Sequence, residues 1–300
     1  MSATSESPAR VAGPSTGSPF AGRTAVMATQ HGKVDLLAPL LQEALGITLV
    51  RAEGVDTDDF GTFTGEVPRP GDQRETAIAK AEAALALTGA DLALASEGSF
   101  GPHPMAPFLA ANRELFVLLD RRLELTIVAS AFTTATNFSH AVISNPEAAW
   151  AFAERVGFPE HGLIVRDGPD PATARVVAKG IVTPAALDEA LARALPRGMG
   201  RSMLLETDMR AHLNPTRQKA IRLAALDLVA RLQSICDACG TPGFALLEVI
   251  PGLPCGWCGQ PTRLPLEELE GCLRCEHTRR RPYPNGERTA DPGRCDLCNP

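Results

Sequence analysis

Aromatic residues are scarce in this chain of 300 residues, with two Trp, one Tyr and 11 Phe, 5% of the total. Basic residues are in deficit as well: 29 Lys plus Arg stand against 35 Asp plus Glu, a formal net charge of −6. A general nucleic-acid binder presents a strongly basic face, so this balance argues against that class. Long hydrophobic runs are missing too. None approaches the ~18 uncharged residues that span a bilayer, and the N-terminus has no cationic start followed by an apolar core. The expectation is a cytoplasmic protein without membrane partners. Cysteine is absent from the first 235 residues.

What is present begins there. Eight cysteines form four C-x-x-C pairs, Cys236/Cys239, Cys255/Cys258, Cys272/Cys275 and Cys295/Cys298. Each pair sets two thiolates on one tight turn, and two pairs complete a tetrahedral zinc site. A secreted disulfide framework would need an export signal and would rarely repeat one spacing four times. Two structural zinc ions are therefore expected, with every position around each ion filled by sulfur and no role in catalysis. The gaps of 15 and 19 residues inside the first two and last two pairs suit zinc ribbons and favour sequential pairing; interleaving, first with third and second with fourth, is the alternative. Glycine follows two of the pairs, in "CDACG" and "CGWCG", where the chain turns back toward sulfur. The segment 236–300 has seven Arg and nine Asp plus Glu, and "RRR" (279–281) is its one basic patch.

Residues 1–22 are Ser, Pro, Gly, Ala and Thr with little to bury, which predicts a disordered leader. From Thr24 the pattern alternates strand and helix. Strands are expected at 24–29, 47–54, 91–96, 114–120, 123–132, 161–166 and 174–181, and helices at 34–45, 73–90, 145–158, 183–195 and 214–235. Asn145 with Pro146, Thr183 with Pro184, and Asn214 with Pro215 are helix starts. The turn "RR" at 121–122 joins two strands as a hairpin. The fold expected for 23–235 is α/β, a mixed β-sheet flanked by helices, followed by a small zinc-ribbon module at 236–300 whose few apolar residues require metal for stability.

Four polar stretches of the α/β region carry candidate chemistry. "ATQHGK" (28–33) follows a strand and opens a helix, so its amides and Lys33 can hold a phosphate; the alternative is a solvated loop. "DTDDFGTFTGE" (56–66) clusters carboxylates that suit a hard cation such as Mg²⁺, or merely serve turns. "ASEGSFGPHP" (95–104) sets Glu97 at the expected C-terminal end of a strand, where α/β sheets bind ligands. "ETDMRAHLNPTRQKA" (206–220) brings Arg210, His212 and Arg217 around a helix start, where an anion also gains from helix N–H groups. Asn137 and His140 in "TTATNFSHAVIS" read as ordinary hydrogen-bonded residues.

The order "AT-x-x-x-K", an acidic Thr/Gly loop, "E-T-A-x-x-KA" and "G-A-D-L-A-L-A-S-E-G" resembles the inosine-triphosphate pyrophosphatase superfamily over residues 24–104. The resemblance implies that Thr29 and Lys33 contact phosphate, that Lys80 faces it from a helix, and that Glu97 holds Mg²⁺ or orients water; His31 in the same loop is a further candidate phosphate contact, and Asp58 of the acidic loop is expected to share the metal with Glu97. His31 stands where that family has Asn, and Glu97-Gly98-Ser99 replaces its tandem aspartates. With "TDMRAHLNPTR" (207–217) and the cysteine pairs, the whole chain resembles more closely a family of bacterial proteins without an assigned activity. Two readings follow. One is a Mg²⁺-dependent hydrolase of a nucleotide or other phosphorylated small molecule, a nucleoside triphosphate pyrophosphohydrolase in the first instance. The other is a non-catalytic ligand sensor or scaffold whose zinc ribbons bind a protein or nucleic-acid partner. Either is compatible with a homo-oligomer.

Overall fold

The computed structural model describes residues 18–29, 32–55, 60, 71–195 and 202–300. Of the expected site, His31 and Asp58 lie outside the described residues, as do residues 1–17 of the expected leader. The chain divides into two compact units, Met1–Leu228 and Val229–Pro300.

The first unit is mixed α/β with two sheets where the sequence suggested one. Its first half runs β1 (Thr24–Met27), α1 (Lys33–Leu45), β2 (Thr48–Arg51), α2 (Gln73–Thr88), β3 (Leu92–His103), β4 (Ala106–Asp120) and β5 (Leu125–Thr133). These strands form one sheet in the order β2-β1-β3-β4-β5. β1 is parallel to both of its neighbours, while β3, β4 and β5 form an antiparallel meander. The second half runs β6 (His140–Ile143), α3 (Pro146–Arg155), β7 (Leu163–Asp167), β8 (Arg175–Ile181), α4 (Pro184–Ala194) and β9 (Met203–Thr207), with its sheet ordered β6-β9-β7-β8. A short 3₁₀ turn, Ala211–Leu213, then leads into α5 (Pro215–Gln233).

Helix α2 shows why these elements pack. Its Ala77, Ala81, Ala84 and Leu85 recur at helical spacing and are buried with Val26, Ala93, Ala95, Leu115 and Val117. Small side chains allow a close approach of helix to sheet, and Asp72 with Glu75 forms a complete capping box at its start. Asn145, Thr183 and Asn214 cap α3, α4 and α5 through bonds to Ala148, Ala186 and Arg217 amides. The expected leader extends to Gly22, yet Phe20 is fully buried and the Gly22 amide bonds to the Gly46 carbonyl. Residues 18–22 are therefore held against the fold: one aromatic ring buries enough apolar surface to hold that short stretch.

One difference bears on function. Glu97 was expected at the end of a strand, with "GSFGPHP" as a loop. Instead β3 continues seven residues past Ser96 to His103, because β4 supplies hydrogen-bond partners along that whole length, with Glu97 opposite Leu115 and Gly98 opposite Glu114.

The second unit holds β10 (Ala245–Pro251), β11 (Pro265–Gly271) and β12 (Thr278–Pro282) in an antiparallel meander. Beyond Cys236 its buried hydrophobic residues other than cysteine are Phe244, Leu253 and Ala290. Such a core is too small to stabilise a fold without a staple.

Candidate functional site

The eight cysteines gather into two groups, Cys236, Cys239, Cys272 and Cys275, and Cys255, Cys258, Cys295 and Cys298. Sulfur separations are 3.8 Å for Cys236–Cys275, 3.5 Å for Cys239–Cys272, 3.9 Å for Cys255–Cys298 and 3.7 Å for Cys258–Cys295. Disulfide sulfurs would sit at about 2 Å. A tetrahedron with zinc–sulfur bonds of about 2.3 Å has edges of about 3.8 Å, which is what both groups present. The pairing is interleaved, not sequential as the gap lengths suggested. The meander explains it: a seven-residue strand advances roughly 20 Å, so β10 carries the chain away from the first pair, β11 brings it back for the third, and β12 takes it out again for the fourth.

Both turns also prepare sulfur for a cation. Gly240 and Gly259 adopt the left-handed conformation expected after a pair, and their amides bond back to the Cys236 and Cys255 carbonyls. The Thr241 hydroxyl and amide pull the Cys239 thiol down to about 6, and amides of Cys258 and Trp257 pull Cys255 to about 7. Cys298 moves the other way, to about 12, through its contact with Cys258. Four adjacent thiols do not all ionise unaided; a divalent cation such as zinc is what makes four thiolates compatible.

In the first unit, the charged residues of the expected site cluster about β3. Lys33, the first residue of α1, is 6% exposed and donates to the Ser96 hydroxyl at 2.8 Å. Burial pushes its ammonium down to about 8, helped by the nearby Arg217 charge and opposed by Glu114 and Glu97. Arg217 is fully buried, donates through Nε to Glu114 at 2.8 Å and through Nη1 to the Met209 carbonyl, and stacks 5.2 Å over the Phe100 ring. On α2, Lys80 is ion-paired with Glu97, both nearly buried. Strand pleat assigns the faces: Glu97 lies opposite Leu115 and turns toward α2, whereas Ser96 and Gly98, opposite Phe116 and Glu114, turn toward Lys33 and Arg217. Glu97 and Lys80 thus form one half of the cluster and Lys33, Ser96, Glu114 and Arg217 the other, with β3 between them.

The remaining expected residues fall as follows. Thr29 is buried just past the end of β1. His212 stands beside the start of α1, its Cβ 3.8 Å from where a Cβ on Gly32 would be, and burial followed by the Arg210 charge lowers its pKa. Arg210 is tied to fully buried Asp208 by 2.6 and 3.0 Å bonds, so its charge is balanced within its own turn. Asn137 joins the Val156 carbonyl to the Asn214 amide, a structural tie. Glu114 and Ser96 were not among the expected residues. Glu114 was legible, since in "ANRELFVLLD" it shares strand parity with buried Phe116 and Leu118, a carboxylate on a core face.

A cavity of about 220 Å³ adjoins the cluster, lined by the stacked rings of Phe100 and Phe138 and by Arg166, Glu206, Asp208 and Met209 among others. A larger one of about 540 Å³ lies at the other end of the same sheet, beside Asp120 and Leu125, away from every expected site residue. Nothing among the described residues supports a Mg²⁺ site, and the carboxylates of the acidic loop expected to contribute to one lie outside them. Glu97 and Glu114 are each neutralised by a buried cation, and the groupings of three or more metal-type ligands found among the described residues are the two cysteine sets.

Fold and site together define an α/β protein with a buried charge cluster and an appended pair of four-cysteine centres. The chain belongs to the family described as "Domain of unknown function (DUF6671)", whose model matches residues 80–300. Lys80, Glu97, Glu114, Arg217 and all eight cysteines lie within the match; Thr29 and Lys33 precede it. No curated protein and no solved structure matches the chain. No helix among the described residues is long and apolar enough to cross a membrane. The basic patch Arg279–Arg281 is paired across the sheet with Glu270, Glu267 and Glu268.

Proposed function

We propose that the first unit binds a phosphorylated small molecule, a nucleotide in the first instance, and hydrolyses it. One observation carries this reading. Among the described residues the buried cluster holds three cations, Lys33, Lys80 and Arg217, and two carboxylates, Glu97 and Glu114, which leaves one positive charge in excess. The excess falls on Lys33, whose hydrogen-bond acceptor is a neutral hydroxyl, at the start of a helix whose N-cap Gly32 provides no side chain to satisfy the first amides. A cation opposes the helix dipole at that end, and an anion reverses the balance. A phosphate there gains from the α1 amides, from Lys33 and from His212 beside Gly32, while the cavity at Phe100 and Phe138 takes a planar ring. Hydrolysis on this reading requires the bound phosphates to extend past the edge of β3 to Glu97 on its other face, where the carboxylate would accept the proton of the attacking water as the phosphorus–oxygen bond to the leaving pyrophosphate breaks.

A second reading, ligand sensing without turnover, is favoured by a specific observation: the Glu97 carboxylate is already engaged by its counterion Lys80 and is not poised toward a water. A panel of nucleoside triphosphates assayed for pyrophosphate release and for thermal shift separates the two. Release that Glu97→Gln abolishes while the thermal shift survives supports the hydrolase. A thermal shift without release, lost in Lys33→Ala, supports the sensor. Neither signal across the panel overturns the shared claim of phosphate binding.

A further inference from the structure

The β3–β4 hairpin outruns its sheet. β5 pairs with β4 only from Asn112 onward, and β1 reaches β3 only at Ala93 and Leu94, so residues 101–111 form a two-stranded ribbon. A lone two-stranded ribbon is marginal in water. This one also exposes what a soluble surface normally covers: Met105 is 88% and Phe108 86% exposed, with Leu109 and Phe132 about half so. No Asp, Glu, Lys or Arg occurs between Glu97 and Arg113. At the base of the same ribbon is a cavity of about 280 Å³ lined by Phe100, Gly101, Pro102, Pro104, Arg113 and Phe132 among others. Phe132 is fixed there by the His103 ring at 5.3 Å and by the Arg113 guanidinium at 5.7 Å.

We propose that this ribbon is a homodimer arm, in which Phe108 of each copy fills the cavity beside Phe132 of the other. Three features select a second copy as the occupant. The knob lies near the tip of the ribbon and the cavity at its base, where Gln73 and Phe132 complete the lining, so a two-fold axis between two arms satisfies both at once, as an isologous contact requires. The arm is uncharged, so two chains of net charge −6 meeting there bring no like charges face to face. The four exposed apolar side chains offer on the order of 500 Å² per copy, so that two arms reach about 1,000 Å², the lower bound for a specific interface. Gln73 also lines the cavity and donates to the Glu97 carbonyl, so the partner's tip would cover Gln73.

The test is the mass of the full-length, zinc-loaded protein in solution, by light scattering and sedimentation at micromolar concentration. The wild type is expected to be a dimer, and Phe108→Ser a monomer with an unchanged far-UV spectrum. Gly101→Leu is the second variant. Gly101 lines the cavity and a Cβ on it meets no atom within 4 Å, so a leucine there starts in open space and competes with the partner's Phe108 for it. It too is expected to be monomeric, whereas a tip that is merely sticky would keep associating. A dimer that survives either substitution overturns the knob-and-cavity contact, and a monomeric wild type overturns the arm. In the latter case, sedimentation with phosphatidylcholine vesicles would give the tip to a lipid surface, and its failure would give it to a different protein.

Discussion

Arg217 and Glu114, 103 positions apart, form an ion pair in which neither side chain is more than 1% exposed, with Nε 2.8 Å from Oε1. The pair ties the first turn of α5 to the middle of β4. Breaking such a pair leaves a buried charge without its counterion, which costs about 3–5 kcal/mol. Glu114→Ala is therefore expected to lower stability by about that amount in urea unfolding. The double variant Glu114→Leu with Arg217→Met should recover most of it, because both charges go together. If the double variant is as unstable as the single one, the pair is held for its hydrogen bond to the Met209 carbonyl more than for its charge.

Gly98 is required by the same pair. A Cβ there would come within 2.4 Å of an Arg217 nitrogen and 2.8 Å of a Glu114 oxygen. Those atoms are locked by their own bonds and cannot retreat cheaply. Gly98→Ala should cost about 1–3 kcal/mol, while Gly101→Ala, three residues on and facing open space, should be close to neutral. Parallel thermal melts compare the two.

These residues also mark where the sequence was legible. Periodicity and caps located the five α-helices of the described residues, because alanine and leucine spacing, Asn145, Thr183 and Asn214 act within a few residues. Reading Gly98 and Gly101 as the end of a strand failed, because the glycines serve tertiary contact and an arm, and β4's hydrogen bonds hold the chain extended through Pro102. Sequential zinc pairing failed for a related reason: β10, β11 and β12 were not recognised, and they decide which cysteine turns share an end of the sheet. Arg279–Arg281 read as a basic patch because its partners, Glu267, Glu268 and Glu270, become neighbours only through the β11–β12 register. In the expected site, Lys33, Lys80, Glu97 and Arg217 were legible as residue types. Their division between the two faces of β3 was not, since it depends on where the pleat begins.

The zinc pairing can be checked by counting metal. The intact protein is expected to hold two zinc ions per chain by elemental analysis. Cys236→Ser should lose one, and adding Cys272→Ser should lose no more, because both belong to one centre. Cys236→Ser with Cys255→Ser should lose both ions. Sequential pairing demands the reverse outcome for these two double variants. A strong chelator should melt the unit Val229–Pro300, whose apolar core is too small to persist alone.

Lys33 makes phosphate binding depend on pH in a direction that can be worked out. Its ammonium titrates at about 8 in the folded protein, below the usual 10.5 of an unfolded chain. The folded state thus binds fewer protons between those values, and stability is expected to rise as pH increases from about 8 toward 10. Binding of an anion runs the other way, since it needs the charged form. The groups that set this balance are Arg217 and Lys80, which disfavour the charge, Glu114 and Glu97, which favour it, and the Ser96 hydroxyl, which is neutral. Affinity for a nucleotide, or for inorganic pyrophosphate as a simpler probe, should therefore fall above pH 8 while the protein itself becomes more stable. Lys33→Met should bind more weakly at pH 7 and lose the pH dependence, retaining the fold because a buried cation has been replaced by an apolar chain of similar length. A wild-type affinity that is flat from pH 7 to pH 9.5 would remove Lys33 from the anion site and with it the excess charge on which phosphate binding rests.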